Sequence, residues 1–182
     1  MNYYGAKELA ASFRTVRNNT ITIAQEINEK DYGFSATPDV RTVARTLVHI
    51  NLAIGLQEQI HAIEKRTTLE GFDFPAFFGK MMAEEQKPRT KDEIMAMLRK
   101  DGDRFASWLE GLSDDVLAER VGMRPGMTPA SKSRFEMLLS AKEHEMHHRG
   151  QLMLMERMLG MVPHLTREMQ AHFAAVAAPA RP

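Results

Sequence analysis

The 182-residue chain contains no cysteine. Disulfides, thiolate nucleophiles and Cys-ligated zinc are therefore excluded. Any resident metal must be held by nitrogen and oxygen, and any thiol chemistry must use a thiol brought from outside. An excess of one charge is also lacking, since Lys plus Arg and Asp plus Glu both number 24. Such a chain offers no electrostatic footprint for nucleic acid or for an anionic membrane. No stretch approaches the ~18 apolar residues of a membrane span. The opening Met-Asn-Tyr-Tyr-Gly-Ala-Lys-Glu has neither the basic start nor the apolar run of a signal peptide. A cytoplasmic protein that binds neither nucleic acid nor membrane is expected. Alternating apolar and polar runs are missing as well, which argues against strands.

What is present is helical periodicity. Apolar residues recur three and four apart in four long segments, so the class expected is all-α, a four-helix bundle. The first helix covers about residues 5 to 29 with Leu9, Phe13, Val16, Ile23 and Ile27 inward. The second is expected to open at Thr37-Pro38-Asp39, a cap followed by proline at the first helical position, and to run to about Glu64. The third starts at the capping-box spacing Thr90-Lys91-Asp92-Glu93 and stops before Gly111. The fourth is placed from about Thr128-Pro129 to Leu159, with Gly160 ending it. A connection from Arg66 to Arg89, carrying Phe72, Phe74, Phe77 and Phe78, is long enough to let helices two and three run parallel and to cover one end of the bundle. A short helix follows Pro163. Residues 1–176 read as a single domain and 177–182 as a flexible Ala/Pro tail. The 14 methionines fall mostly at helical spacing and read as adaptable core filler.

The candidate chemistry lies in residues 144–151, His-Glu-Met-His-His-Arg-Gly-Gln. Residues four apart on a helix are separated by about 40° around its axis, so His144 and His148 stack on one face. Met137, Ala141, Leu152, Met155 and Leu159 share that stripe, which places both imidazoles in the core-facing row. His147 falls about 100° from His148 and is set aside. His49 heads a second apolar row with Leu52, Leu56 and Ile60. A buried unpaired imidazole is unfavourable, and three of them are best satisfied together by one cation. Three neutral histidines leave a divalent ion its full charge and an open position, as in catalytic rather than closed structural sites. Zinc and nickel suit such ligands first, and iron and manganese accept them too.

His144-Glu145-Met146-His147-His148 also satisfies the H-E-x-x-H pattern of zinc metalloproteases, in which Glu145 would be the general base and Glu168 a further ligand. Such proteases hold peptide along a sheet edge, which a chain without strands does not supply. Glu145 itself sits at the margin of the metal-facing row, as a base or as an inter-helix salt-bridging carboxylate. Arg149 has no role readable from its position.

Val48-His49-Ile50, the H-x-x-x-H pair His144/His148 with its His-Arg-Gly-Gln continuation, the Thr37-Pro38 segment and the Phe-Ala-Ser-Trp-Leu stretch of helix three together resemble the DinB-like family of four-helix-bundle metalloproteins. The resemblance covers about residues 5 to 160. It implies an up-down-down-up bundle, frequently a homodimer, with a divalent metal held by residues matching His49, His144 and His148. It also implies a small-molecule substrate, acted on by a metal-dependent thiol transferase or isomerase or by a hydrolase: some relatives are transferases or isomerases that use an external low-molecular-weight thiol, and many have no assigned reaction. The alternative is a non-enzymatic, stress-associated metal-binding bundle.

Overall fold

The computed structural model describes residues 4–177. The chain runs through α1 (Ala6–Glu26), α2 (Val43–Gln57), α3 (Phe74–Glu85), α4 (Lys91–Glu110), α5 (Asp114–Ala118), the strands β1 (Arg120–Gly122) and β2 (Ser131–Ser133), α6 (Arg134–Met158) and α7 (His164–Ala177). Helices α1 and α2 each pack against both α4 and α6, which makes α1 and α2 diagonal partners in a four-helix bundle. Directions follow from single contacts. Arg14 near the start of α1 bonds Glu110 at the end of α4, and Lys91 at the start of α4 donates to the Gln25 and Ile27 carbonyls, so α1 and α4 are antiparallel. Tyr4 meets Phe135, so α1 and α6 start together. Gln57 reaches Ser140 while His49 reaches His144, so α2 and α6 are antiparallel. The order is up-down-down-up.

The helix starts obey cap chemistry, and two of them differ from expectation. At α4 the Thr90 hydroxyl accepts from Glu93 N–H while the Glu93 carboxylate accepts from Thr90 N–H at 2.7 Å, as the capping-box spacing predicts. At α6 the same box is built by Ser133 and Glu136, so the helix begins at Arg134 rather than near Thr128-Pro129. The intervening residues instead form a short antiparallel ribbon pairing Arg120 with Ser133, Val121 with Lys132 and Gly122 with Ser131. Three-residue strands are too short for a period-2 pattern to register in the sequence. Helix α2 starts at Val43 with Thr42 as its cap, not at Thr37-Pro38. There the Thr37 hydroxyl donates to its neighbour Asp39 at 2.6 Å within a turn. The Phe-rich connection is not a loop throughout, because Asp73 accepts from Ala76 N–H and nucleates α3. Residue 177 closes α7, and the rest of the expected tail, 178–182, lies outside the described residues.

Two of three apolar cores lie along the bundle, the third gathering Ile60, Leu69, Met137 and the β1 residue Val121. One gathers Ile23, Ile27, Val43, Leu47, Ile94, Leu98, Leu152 and Met155. The other gathers Leu9, Phe13, Ile54, Phe105, Leu109 and Leu138. Between them runs a polar layer made by all four helices. Arg17 of α1 bonds both oxygens of Glu145 of α6 at 3.0 and 3.1 Å, and its Nη1 donates to Asn51 Oδ1 of α2 and to the Leu98 carbonyl of α4. Asn51 in turn donates to Asp101 at 2.7 Å. A buried charge pair depends on partners for its remaining donors and acceptors; here Nε and Nη1 of Arg17 are hydrogen-bonded across the cross-section, and Nη2 has only the ion-pair contact with Glu145 at 3.0 Å.

Candidate metal centre

The three expected histidines meet. His49 comes from the middle of α2, and His144 and His148 from consecutive turns of α6. His144 Nε2 lies 3.2 Å from both His49 Nε2 and His148 Nε2, and the three ligand atoms fall within 4.8 Å of one another. Four-coordinate zinc with Zn–N distances of ~2.0–2.1 Å sets neighbouring nitrogens about 3.3–3.4 Å apart. The donor set therefore has the spacing and the chemistry of a divalent-cation site.

Hydrogen bonds on the far side of two rings fix which nitrogen is free. His49 Nδ1 lies 3.0 Å from Glu85 Oε2; a carboxylate accepts only, so the proton sits on Nδ1 and the Nε2 lone pair points inward. His148 Nδ1 lies 2.8 Å from Gln151 Oε1, and the Gln151 amide nitrogen faces His147 Nε2 at 3.3 Å. Gln151 thus accepts from His148 and donates to His147, which again leaves His148 Nε2 unprotonated. Two lone pairs then confront His144 Nε2, whose single proton in the neutral ring could serve one of them at most. A cation resolves the conflict for all three, and the oriented rings are what supporting hydrogen bonds at metal sites provide.

Protonation is also held off. Burial lowers the pKa of His49, with Arg41 adding to the effect. Burial, then the charge of His148, takes His144 down to about 4, and burial lowers His148 as well. The shifts all favour the neutral ring, the form a metal requires.

Glu145, the sequence candidate for a general base, is 1% exposed and closes the ion pair with Arg17 described above. Both its oxygens are engaged there, which is the salt-bridging role rather than that of a base. His147 lies outside the triad; its ring packs edge-on against His148 with centroids 4.9 Å apart, and its Nε2 faces Gln151. Two residues were not singled out from sequence as site components. Glu85, buried at the end of α3, takes Arg41 at 2.7 Å as well as His49. Gln151 was part of the family-like ending without a role, although its spacing of three from His148 puts the two side chains together.

A cavity of about 260 Å³ adjoins the triad, with His49 and His144 in its wall and Phe78 and Met81 of α3 closing one side. The DinB family model matches residues 1–180. The chain belongs to the DinB family. This DinB-family chain is similar in fold to a DinB-like protein from Bacillus subtilis at 18% identity, with 85% of this chain and 94% of the other covered at a TM-score of 0.62. It is likewise similar to YfiT from Bacillus subtilis at 14% identity, 88% and 91% coverage and a TM-score of 0.64; YfiT is described as a probable metal-dependent hydrolase with an unusual four-helix bundle topology. A mycothiol-dependent maleylpyruvate isomerase aligns at 14% identity and a TM-score of 0.60, over 82% of this chain and 61% of its own. No curated protein sequence matches. Among the described residues of this DinB-family chain no helix is long and apolar enough to cross a membrane.

Proposed function

We propose that the chain is a metal-dependent enzyme acting on a small molecule, with one divalent cation, zinc or nickel foremost, held by His49, His144 and His148. The observation that carries this reading is the convergence of three imidazole nitrogens, two separations being 3.2 Å, at the edge of a cavity. When bound, the cation supplies Lewis acidity, toward water in a hydrolysis or toward an external thiol in a transfer or isomerisation. Glu85 and Gln151 keep His49 and His148 in the ligating tautomer. Apolar walls keep bulk water from the reacting group. The similarity to YfiT favours hydrolysis, the similarity to the mycothiol-dependent isomerase favours an external thiol, and a chain without cysteine is compatible with one. A homodimer belongs to the same proposal and is checked by light scattering.

The test begins with metal analysis of the purified chain, followed by parallel screens for conjugation of low-molecular-weight thiols and for hydrolysis of small esters and amides. Wild type is compared with His148→Ala. Turnover that needs both the ion and His148 supports the reading and tells the two reactions apart. Turnover indifferent to His148→Ala removes the enzyme proposal. A loaded ion with no turnover in either screen favours a non-enzymatic metal-binding bundle.

A further inference from the structure

Three sizeable recesses are bordered by residues of α2 and α3, and they differ in chemistry. One, of about 620 Å³, is bordered by Glu64, Arg66, Asp73, Lys80 and Glu84. Another, of about 530 Å³, is bordered by Asp39, Arg41, Arg45 and Glu85. The third is the 260 Å³ chamber that has His49 and His144 in its own wall. Among the described residues lining this chamber there is no Asp, Glu, Lys or Arg. Its body is Ala53, Leu56, Phe78, Met81 and Ala141. Of its remaining polar pair, Ser140 is occupied, while Gln57 keeps its buried Oε1 without a hydrogen-bond partner among the described residues. The Ser140 hydroxyl donates to the Met137 carbonyl at 2.6 Å, and Gln57 Nε2 donates to Ser140 Oγ at 3.0 Å.

An ionised group that enters such a chamber gives up its hydration and finds no counter-charge except a cation at the triad itself. An apolar group there is favoured by every square ångström it removes from water. The volume lies below the ~300–1,000 Å³ typical of pockets for drug-sized ligands, so only a small segment fits. We propose that the chamber beside His49 and His144 receives a small, uncharged, largely apolar segment of the substrate, while the polar reacting group of that substrate lies at the triad. This inference rests on the metal reading above and narrows it: dicarboxylates and polyhydroxylated tails are disfavoured in the chamber, and short alkyl or aryl tails carrying at most one donor for Gln57 Oε1 are favoured.

The test loads the full chain with Co(II) and follows its visible absorption bands while alkyl hydroxamates are titrated in, the hydroxamate head binding the metal and the tail probing the chamber. The hexano compound is expected to bind about tenfold or more tighter than the aceto compound, in line with the gain per buried methylene. A tail of the same length ending in a carboxylate should lose that advantage. In Met81→Lys, a change on the partly exposed face of α3, the carboxylate tail should recover affinity relative to the alkyl tail. Ala53→Phe, which fills the chamber, should erase the dependence on tail length. Co(II) bands with affinities indifferent to tail length, or a wild-type preference for the carboxylate tail, overturn the chamber proposal alone. Absence of Co(II) binding overturns the metal reading and this inference with it.

Discussion

Gly102 of α4 lies directly against the side chain of Arg17: a Cβ built at residue 102 would sit 2.8 Å from Arg17 Cγ. The arginine has no room to yield, because its guanidinium is held at once by Glu145, Asn51 and the Leu98 carbonyl. Glycine in the middle of a helix is unfavourable by itself, so its presence here reflects the space that the polar layer needs.

Gly102→Ala is therefore expected to lower stability by about 1–3 kcal/mol despite the better helix propensity of alanine, because overpacking outweighs it. Gly150→Ala on α6, where a new Cβ meets nothing within 4 Å, should instead raise stability by about 0.5–1 kcal/mol. Urea unfolding midpoints of the two variants check the contrast. A stabilised Gly102→Ala would mean that Arg17 is free to move.

Removing one partner of the Arg17–Glu145 pair leaves the other charge buried. Arg17→Met and Glu145→Gln should each cost about 3–5 kcal/mol, and the double variant much less than their sum. A double-mutant cycle in urea measures the coupling. Additive losses would show that the two side chains do not act as a unit.

Glu156 supplies a pH dependence. It is fully buried on α6, both its oxygens lack partners among the described residues, and burial together with the nearby charge of Glu26 raises its pKa from 4.5 to about 7. The folded state therefore binds this proton more tightly than the unfolded chain. The stabilising contribution is complete below pH 4.5 and is lost as the pH rises toward 7. Glu156→Gln should be more stable than wild type at pH 8 and close to it at pH 5. Equal differences at both values would remove the assignment.

Purified protein should hold about one divalent ion per chain, as a single tri-histidine set allows. His49→Ala, His144→Ala and His148→Ala should each lose most of it, and His147→Ala should keep it. Glu85→Gln, which keeps the size of the side chain but not its charge, should weaken metal affinity about 10–100-fold, as changes to groups that orient a ligand do. Competition with a coloured chelator reads all five variants. Full metal content in His144→Ala would sink the site.

Much of this was legible in the sequence because the signals are local. The stripe through Met137, Ala141, His144, His148 and Leu152 separates His147 from its neighbours by helix geometry alone, and the cap at Thr90 is a pattern of four residues. The Ser133–Glu136 box was equally local, but Thr128-Pro129 imitated a helix start just before it, as Thr37-Pro38-Asp39 did ahead of Thr42. What was not legible spans distance. Glu85 is 36 residues from the histidine it orients, and Arg17 is 128 from Glu145. Only the odd presence of an arginine on the apolar face of α1 hinted at the second relationship, and the aspartate before Phe74-Pro75 hinted that the linker held a helix.

Phe78, Met81 and Glu85 recur at spacings of three and four along α3, so one short rigid rod carries both a wall of the chamber beside the triad and the carboxylate that aims His49. On the proposed reading, substrate choice and metal tuning are mechanically linked. A substitution that tilts this rod to admit a bulkier tail also turns the imidazole, so new specificities are reached most readily by changing side-chain size at Phe78 and Met81 and least readily by reshaping the connection that bears them.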